Sequence, residues 1–347
     1  TGDFTVEYWV KTTNSPAGTD YGYCMGGSPG PKSTVDRIDY SSDTDTMVAK
    51  GSLTEGKNRA GATSSLTHGY HGGGSPAGGV STTDVDRLDY ASDTTACAPK
   101  GPLSGSAYWR QATGNLSYGY WGGGGVHPSP QYSTVDRIDY SNDTVGGVAR
   151  GPLSTYTGFG AAATGNQDFG YFGGGYTNRT TVSRVDYASD TATALRRGDL
   201  SPSMSPAWGI SATGNQNFGY FGGGNPDIPL STICRIDYSN DTPTASAKGP
   251  LSDARAYLSA TGNSFFGYFG GGYPAESTVD RLDYSSDTTT AAAKGPLSQG
   301  RYGMGATGNT THGYFGGGSG PGGSPLYSTV DRIDYSNDTP TTSTKGP

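Results

Sequence analysis

Along residues 279–284, Val-Asp-Arg-Leu-Asp-Tyr, side chains alternate with period two. Val279, Arg281 and Asp283 fall on one side, and Asp280, Leu282 and Tyr284 on the other, the spacing of an extended strand. Both sides carry apolar and charged residues, which suits a strand covered on both faces. Three further segments flank it between turn signals. Residues 256–261 lead into Gly262-Asn263, residues 265–269 into Gly270-Gly271-Gly272, and residues 289–293 into Lys294-Gly295-Pro296. Short segments bounded by Gly, Asn, Asp and Pro clusters predict an antiparallel meander of four strands. No segment has helical periodicity.

The meander recurs along the whole chain. The tyrosine closing its third strand stands at Tyr40, Tyr90, Tyr140, Tyr187, Tyr238, Tyr284 and Tyr335, a step of 46 to 51 residues. A fixed period near fifty is the size of one propeller blade. The expected fold is therefore all-β, a seven-bladed β-propeller with four antiparallel strands per blade. A single domain over 1–347 would divide into blades at 1–51, 52–101, 102–151, 152–198, 199–249, 250–295 and 296–347. Residues 4–13 are expected to supply the first strand of blade one, because Thr12-Thr13-Asn14 echoes the later Ala-Thr-Gly-Asn. The ring would then close by packing of blade seven on blade one, without a borrowed strand.

Composition changes this picture little. Only 32% of the 347 residues are hydrophobic and 59 are glycine, values that alone suggest low complexity. The strict period and 25 tyrosines argue for a folded domain whose aromatic rings supply most of the buriable area. A net charge of −7 with no basic stripe argues against nucleic acid as a partner. No apolar run approaches the roughly 18 residues of a membrane helix, so no membrane insertion is expected. The chain starts Thr-Gly-Asp and stops where earlier copies run on to Leu-Ser, so it is expected to be a segment of something longer. Cys24, Cys97 and Cys234 occupy unrelated repeat positions, which is neither a disulfide framework nor a metal set.

Residues present in every copy are explained first by the fold. Arg37, Arg87, Arg137, Arg184, Arg235, Arg281 and Arg332 recur on the third strand. So do the aspartates two positions on, Asp39, Asp89, Asp139, Asp186, Asp237, Asp283 and Asp334. Together they are read as a structural network of ion pairs and hydrogen bonds between blades. The Ser-x-Asp-Thr that follows reads as an Asx-type turn, its carboxylate satisfying nearby backbone N–H groups.

The blade resembles a kelch repeat. It has a double glycine after an aromatic second strand, as in Tyr220-Phe221-Gly222-Gly223, a third strand ending Asp-Tyr, and in some copies an arginine ahead of the first strand, as in Arg255 and Arg301. It lacks the fourth-strand tryptophan usual in kelch repeats. Its phrasing over roughly residues 20–347, Gly-Tyr-Phe-Gly-Gly-Gly with Ser-Thr-Val-Asp-Arg-Ile-Asp-Tyr-Ser-Asn-Asp-Thr, is similar to kelch-like arrays in structural proteins of marine bacteriophages, tail-fibre components among them. That resemblance implies a virion or extracellular setting. The partners it implies are a host-surface glycan or protein receptor and other virion subunits, with a homo-oligomeric fibre as one possible assembly. Phe4-Thr5-Val6-Glu7-Tyr8-Trp9-Val10 also resembles the opening strand of a concanavalin-like lectin domain, but the blade-one reading is favoured.

Function is sought where copies disagree. The turns between strands one and two and between strands three and four barely change. The loop between strands two and three differs in every copy, and so does the segment leading into strand one; both would leave the same side of the ring. The expected binding surface is that side. Its candidates are Tyr108, Trp109, Arg110, His127, Tyr132, Phe159, Tyr176, Arg179, Trp208, Tyr257, Tyr273, Arg301, Tyr302 and Tyr327. Tyrosine and tryptophan stack on sugars or anchor protein interfaces, and arginine grips carboxylates. Tyr108, Phe159, Trp208 and Tyr302 share one repeat position, where plugging of the central channel has at least equal weight; the lone loop aromatics Tyr132, Tyr176 and Tyr327 are the stronger surface candidates.

Catalysis finds no support. His68, His71 and His312 sit at strand positions that other copies fill with aromatics, and no Cys/His spacing suits a metal. No catalytic residues, no metal and no cofactor are expected, and a non-enzymatic recognition module is the leading reading. The alternatives are a purely structural fibre component and an intracellular kelch adaptor. Asn115, Asn142, Asn178, Asn240, Asn309 and Asn337 each open an Asn-x-Ser/Thr sequence, recurrence through repetition being the simpler account.

Overall fold

The computed structural model describes residues 21–28, 30–43, 46–126, 130–176 and 180–345, with the backbone of Tyr8–Val10. The strands form seven sheets of four, each built from four consecutive antiparallel strands. The first strands ring the axis: Tyr8–Val10, Gly61–Ser64, Gln111–Gly114, Ala161–Gly165, Ser211–Gly214, Ser259–Gly262 and Gly305–Gly308. Tyr8–Val10 touches both Gly61–Ser64 and Gly305–Gly308, so the ring closes between blades seven and one with no exchanged strand. The register of that first strand sets Val10 opposite Tyr23, the place Thr113 holds opposite Tyr120. It thus lies two residues ahead of the register that the Thr12-Thr13-Asn14 echo implies; Thr12, Thr13 and Asn14 are outside the described residues.

In blade six the third strand is Val279–Asp283, but the first begins only at Ser259. Tyr257 has φ +52°, a left-handed conformation that ends the extended run, so residues 256–258 fold over the axis as loop instead.

The blades interlock through one repeated latch. Asp93 accepts a hydrogen bond from Tyr23 Oη (2.9 Å) and pairs with Arg37 (2.9 Å) and Lys50 (3.2 Å), all three from the preceding blade. Asp143, Asp190, Asp241, Asp287 and Asp338 each hold the equivalent tyrosine and arginine. Asp43 closes the ring, gripping Tyr314 (2.8 Å), Arg332 (2.9 Å) and Lys345 (3.1 Å) of blade seven. The arginines therefore do bridge blades, but the roles expected for the two aspartates are exchanged. Asp39, Asp89, Asp139, Asp186, Asp237, Asp283 and Asp334 cap their own turns, each accepting the N–H two residues on. The reason is reach. The carboxylate two positions past the arginine opens the turn, while the one at the turn's far side meets the neighbouring blade.

Ring stacking reinforces each latch. Tyr120 lies on Tyr187 at 4.6 Å, and Tyr314 on Tyr40 at 4.7 Å across the closure. In six of the seven pairs the second tyrosine hydrogen-bonds a first-strand threonine, as Tyr187 with Thr113 and Tyr40 with Thr307. The core is thus divided among blade interfaces, each apolar cluster drawing on two neighbouring blades; Tyr120 and Val135 meet Leu153, Phe172, Val185 and Tyr187. Glycine is required where the fourth strand ends. A Cβ on Gly151 would run into the backbone carbonyl of Ala192 in the next blade, and its equivalents face the same obstacle.

Candidate functional site

The segment leading into each first strand turns over the end of the central bore, where it bridges to the loop between strands two and three. Tyr108 pairs with Gly125, Ala256 with Tyr273, and Tyr302 with Ser319. The residue after this bridge is left-handed in every described copy: Arg59 (φ 57°), Trp109 (60°), Gly160 (74°), Gly209 (66°), Tyr257 (52°) and Gly303 (66°). The conformation is imposed by interlocking, since Trp109 N–H donates to Arg59 O, Tyr257 N–H to Gly209 O, and Gly303 N–H to Tyr257 O. Glycine accepts it freely, whereas a side chain there costs roughly 1–2 kcal/mol. Three blades nonetheless carry large side chains at this position.

Those side chains start an arc of aromatic contacts across blades two to six. The Arg59 guanidinium lies over Trp109 at 4.8 Å, Trp109 meets Phe159 at 4.9 Å, and Phe159 stacks on Tyr176 at 4.3 Å. Trp208 then contacts Phe159 edge-on at 5.3 Å and Tyr257 at 6.0 Å. Trp109, Phe159, Trp208, Tyr176 and Tyr257 are all half-buried, held by each other yet still reachable. Tyr273 is exposed and abuts the buried Tyr302. Tyr132 and Tyr327 are half-buried and lie outside the arc's ring contacts among the described residues.

Arg110 and Arg301 leave the candidate surface. Both are fully buried, Arg110 paired with Asp136 and Arg301 with Asp331, each at 2.7 Å. Arg255–Asp280 and Lys57–Asp86 repeat the same tie inside their blades. Where the aspartate is replaced, the ion pair goes with it: Ser183 in blade four bonds Ser154 (2.7 Å), and Cys234 in blade five meets Met204 (2.9 Å). Each of these bases is thus the counter-ion of a buried carboxylate and cannot meet a ligand. Tyr108 and Tyr302 are buried as well and serve as support for Trp109 and Tyr273. His127 and Arg179 lie outside the described residues.

Behind the arc, the bore holds a cavity of about 450 Å³ lined by first strands of blades two to seven. Trp109, Phe159 and Tyr257 wall one end, with Leu258 and Met304, while Asn115, Leu116 and Gln167 lie at the other. The wall between is largely alanine, glycine and threonine, with Gln111 and Ser211 among them.

His71, Cys97 and Cys234 are poor reagents. Burial, helped by Lys57, holds the His71 imidazole neutral, well below its usual range. Burial likewise pushes the Cys97 and Cys234 thiols up to about 12. No grouping of His, Cys, Asp and Glu fit to hold a metal occurs among the described residues.

Some surface residues escaped the sequence reasoning. Arg59 follows Asn58 at the repeat position of Trp109, an alignment obscured by the Lys57-Asn58-Arg59 composition. The turn between strands one and two is also less uniform than expected. Its tips expose Leu66, Leu116 and Phe265, the last 68% accessible.

No protein-family model matches this sequence, and no curated protein is similar to it. Among solved structures, the one described as "Structure of YjhT" is similar over 98% of this chain and 97% of that chain, with a TM-score of 0.59 and 12% sequence identity. At that identity the likeness is one of fold, a seven-bladed β-propeller.

Proposed function

We propose that this propeller is a non-enzymatic, kelch-like recognition module that engages a surface glycan or protein receptor through its variable-loop side. The host-facing domain of a phage tail fibre or a comparable virion protein is the setting that the repeat phrasing suggests. One observation carries the reading. Arg59, Trp109 and Tyr257 occupy left-handed positions that Gly160, Gly209 and Gly303 fill without strain. Backbone strain retained in three blades, all feeding one aromatic arc, fits a surface kept for contact rather than for stability.

A screen of the protein against host-surface polysaccharides and receptor proteins tests this. Binding is expected, and Trp208→Ala should weaken it by about tenfold or more, a loss of roughly 1.4 kcal/mol. A propeller that binds no such ligand, and whose variable loops are covered by another virion subunit, would be architectural and the reading would fail.

A further inference from the structure

Resting on that recognition reading, we propose that the bore itself is a ligand site and that it takes an uncharged sugar ring, seated against Trp109 and Tyr257 with its hydroxyls on Gln111, Ser211 and the inner edges of the first strands.

Four observations converge on this chemistry. First, none of the described residues lining the cavity is Asp, Glu, Lys, Arg or His. A charged ligand would lose its hydration there with no counter-ion among those residues to replace it. Second, each first strand is the inner edge of its sheet, so the groups it does not pair with the second strand face the bore. Some of them are already used, Gly61 O by Trp121 and Thr307 O by Thr261; a purely apolar occupant would leave those that remain unmatched, at about 1–3 kcal/mol each, whereas a polyol can satisfy them. Third, one first-strand position differs between blades in a directed way. Opposite the first glycine of the Gly-Gly-Gly run stand Gly61, Ala162 and Gly305, but also Gln111 and Ser211. Ser259, at the same position in blade six, already donates its hydroxyl to Met304 O. Gln111, whose Nε2 makes one long contact to Trp109 O (3.5 Å), and Ser211, both half-buried, therefore bring an amide and a hydroxyl to an otherwise small-residue wall. Fourth, aromatic rings close one end of a volume of about 450 Å³, within the range of small-ligand pockets, and a pyranose presents the C–H face that such rings accept.

The test is an NMR titration of the protein with methyl β-glucopyranoside and methyl β-galactopyranoside, each compared with its uronic acid. The neutral glycosides should bind, and each uronic acid should bind about tenfold more weakly or worse. Ser211→Phe, which fills the bore, should cost about tenfold or more in affinity. Gln111→Ala should cost about three- to tenfold, the worth of one hydrogen bond. Phe265→Ala, an exposed ring outside the cavity wall, should change glycoside affinity by less than about threefold. Uronic acids binding as tightly as the glycosides would overturn the proposal. So would a folded Ser211→Phe variant of full affinity; if that variant fails to fold, full affinity in Gln111→Ala does the same. Glycan binding lost in Trp208→Ala but kept in Ser211→Phe would leave recognition on the loop side intact and refute the bore. Absence of binding to any saccharide or receptor would refute both.

Discussion

A left-handed backbone position is a quiet cost that a protein can shed with one mutation to glycine. At Arg59 that substitution removes roughly 1 kcal/mol of strain and gives up a stacking contact worth about 0.5–1 kcal/mol. Arg59→Gly should therefore unfold in urea within about 0.5 kcal/mol of the parent. A loss above about 2 kcal/mol would show that the side chain is a structural member. The buried ion pairs behave oppositely. Asp280→Ala strands the Arg255 guanidinium in a dry interior and should destabilise by about 3–5 kcal/mol. The double change Arg255→Met with Asp280→Cys borrows the residue types that blade five uses in Met204 and Cys234 and should recover most of that loss. Equal unfolding free energies for the single and double variants would contradict this account.

At the scale of the element, seven equivalent latches hold the ring. Burial alone would raise the pKa of Asp43, but hydrogen bonds from Tyr314 and Lys345 and the charge of Arg332 outweigh it, so the carboxyl sits below its usual range. Asp143 is held down in the same way by Tyr70, Lys100 and Arg87. A carboxylate with a depressed folded pKa contributes stability that is present above the unfolded value, near pH 3.9, and is lost as pH falls through the folded one. Acid unfolding is therefore expected below about pH 4, with a flatter pH dependence in Asp43→Asn. An unchanged acid limb in that variant would remove the latch from the explanation. Much of this was legible in the sequence, because a strand with period-two alternation and an invariant arginine must face a neighbour on each side. Which aspartate meets that arginine was not. Two carboxylates four residues apart have the same composition signal, and only the twist of the turn decides which one caps and which one reaches. The same limit applies to Arg110 and Arg301. Arginine beside aromatic residues reads as a binding patch until its buried partner is seen.

The whole molecule is a closed disc whose side chains diverge on one side and at the bore. The sequence located that side through the disagreement among its copies. It did not reveal the bore, because Gln111 and Ser211 differ from their equivalents by single substitutions in an otherwise uniform strand. The most direct test of the account is a comparison of ligand affinity in two folded variants from opposite ends of the bore. Trp109→Ala removes the strained aromatic on the variable-loop side, and Phe265→Ala trims an exposed ring on the far side. Binding of saccharide or receptor should fall by about tenfold or more in the first and stay within about twofold in the second. The reverse order, or equal affinity in both, would contradict the claim that this propeller recognises its ligand at the aromatic mouth.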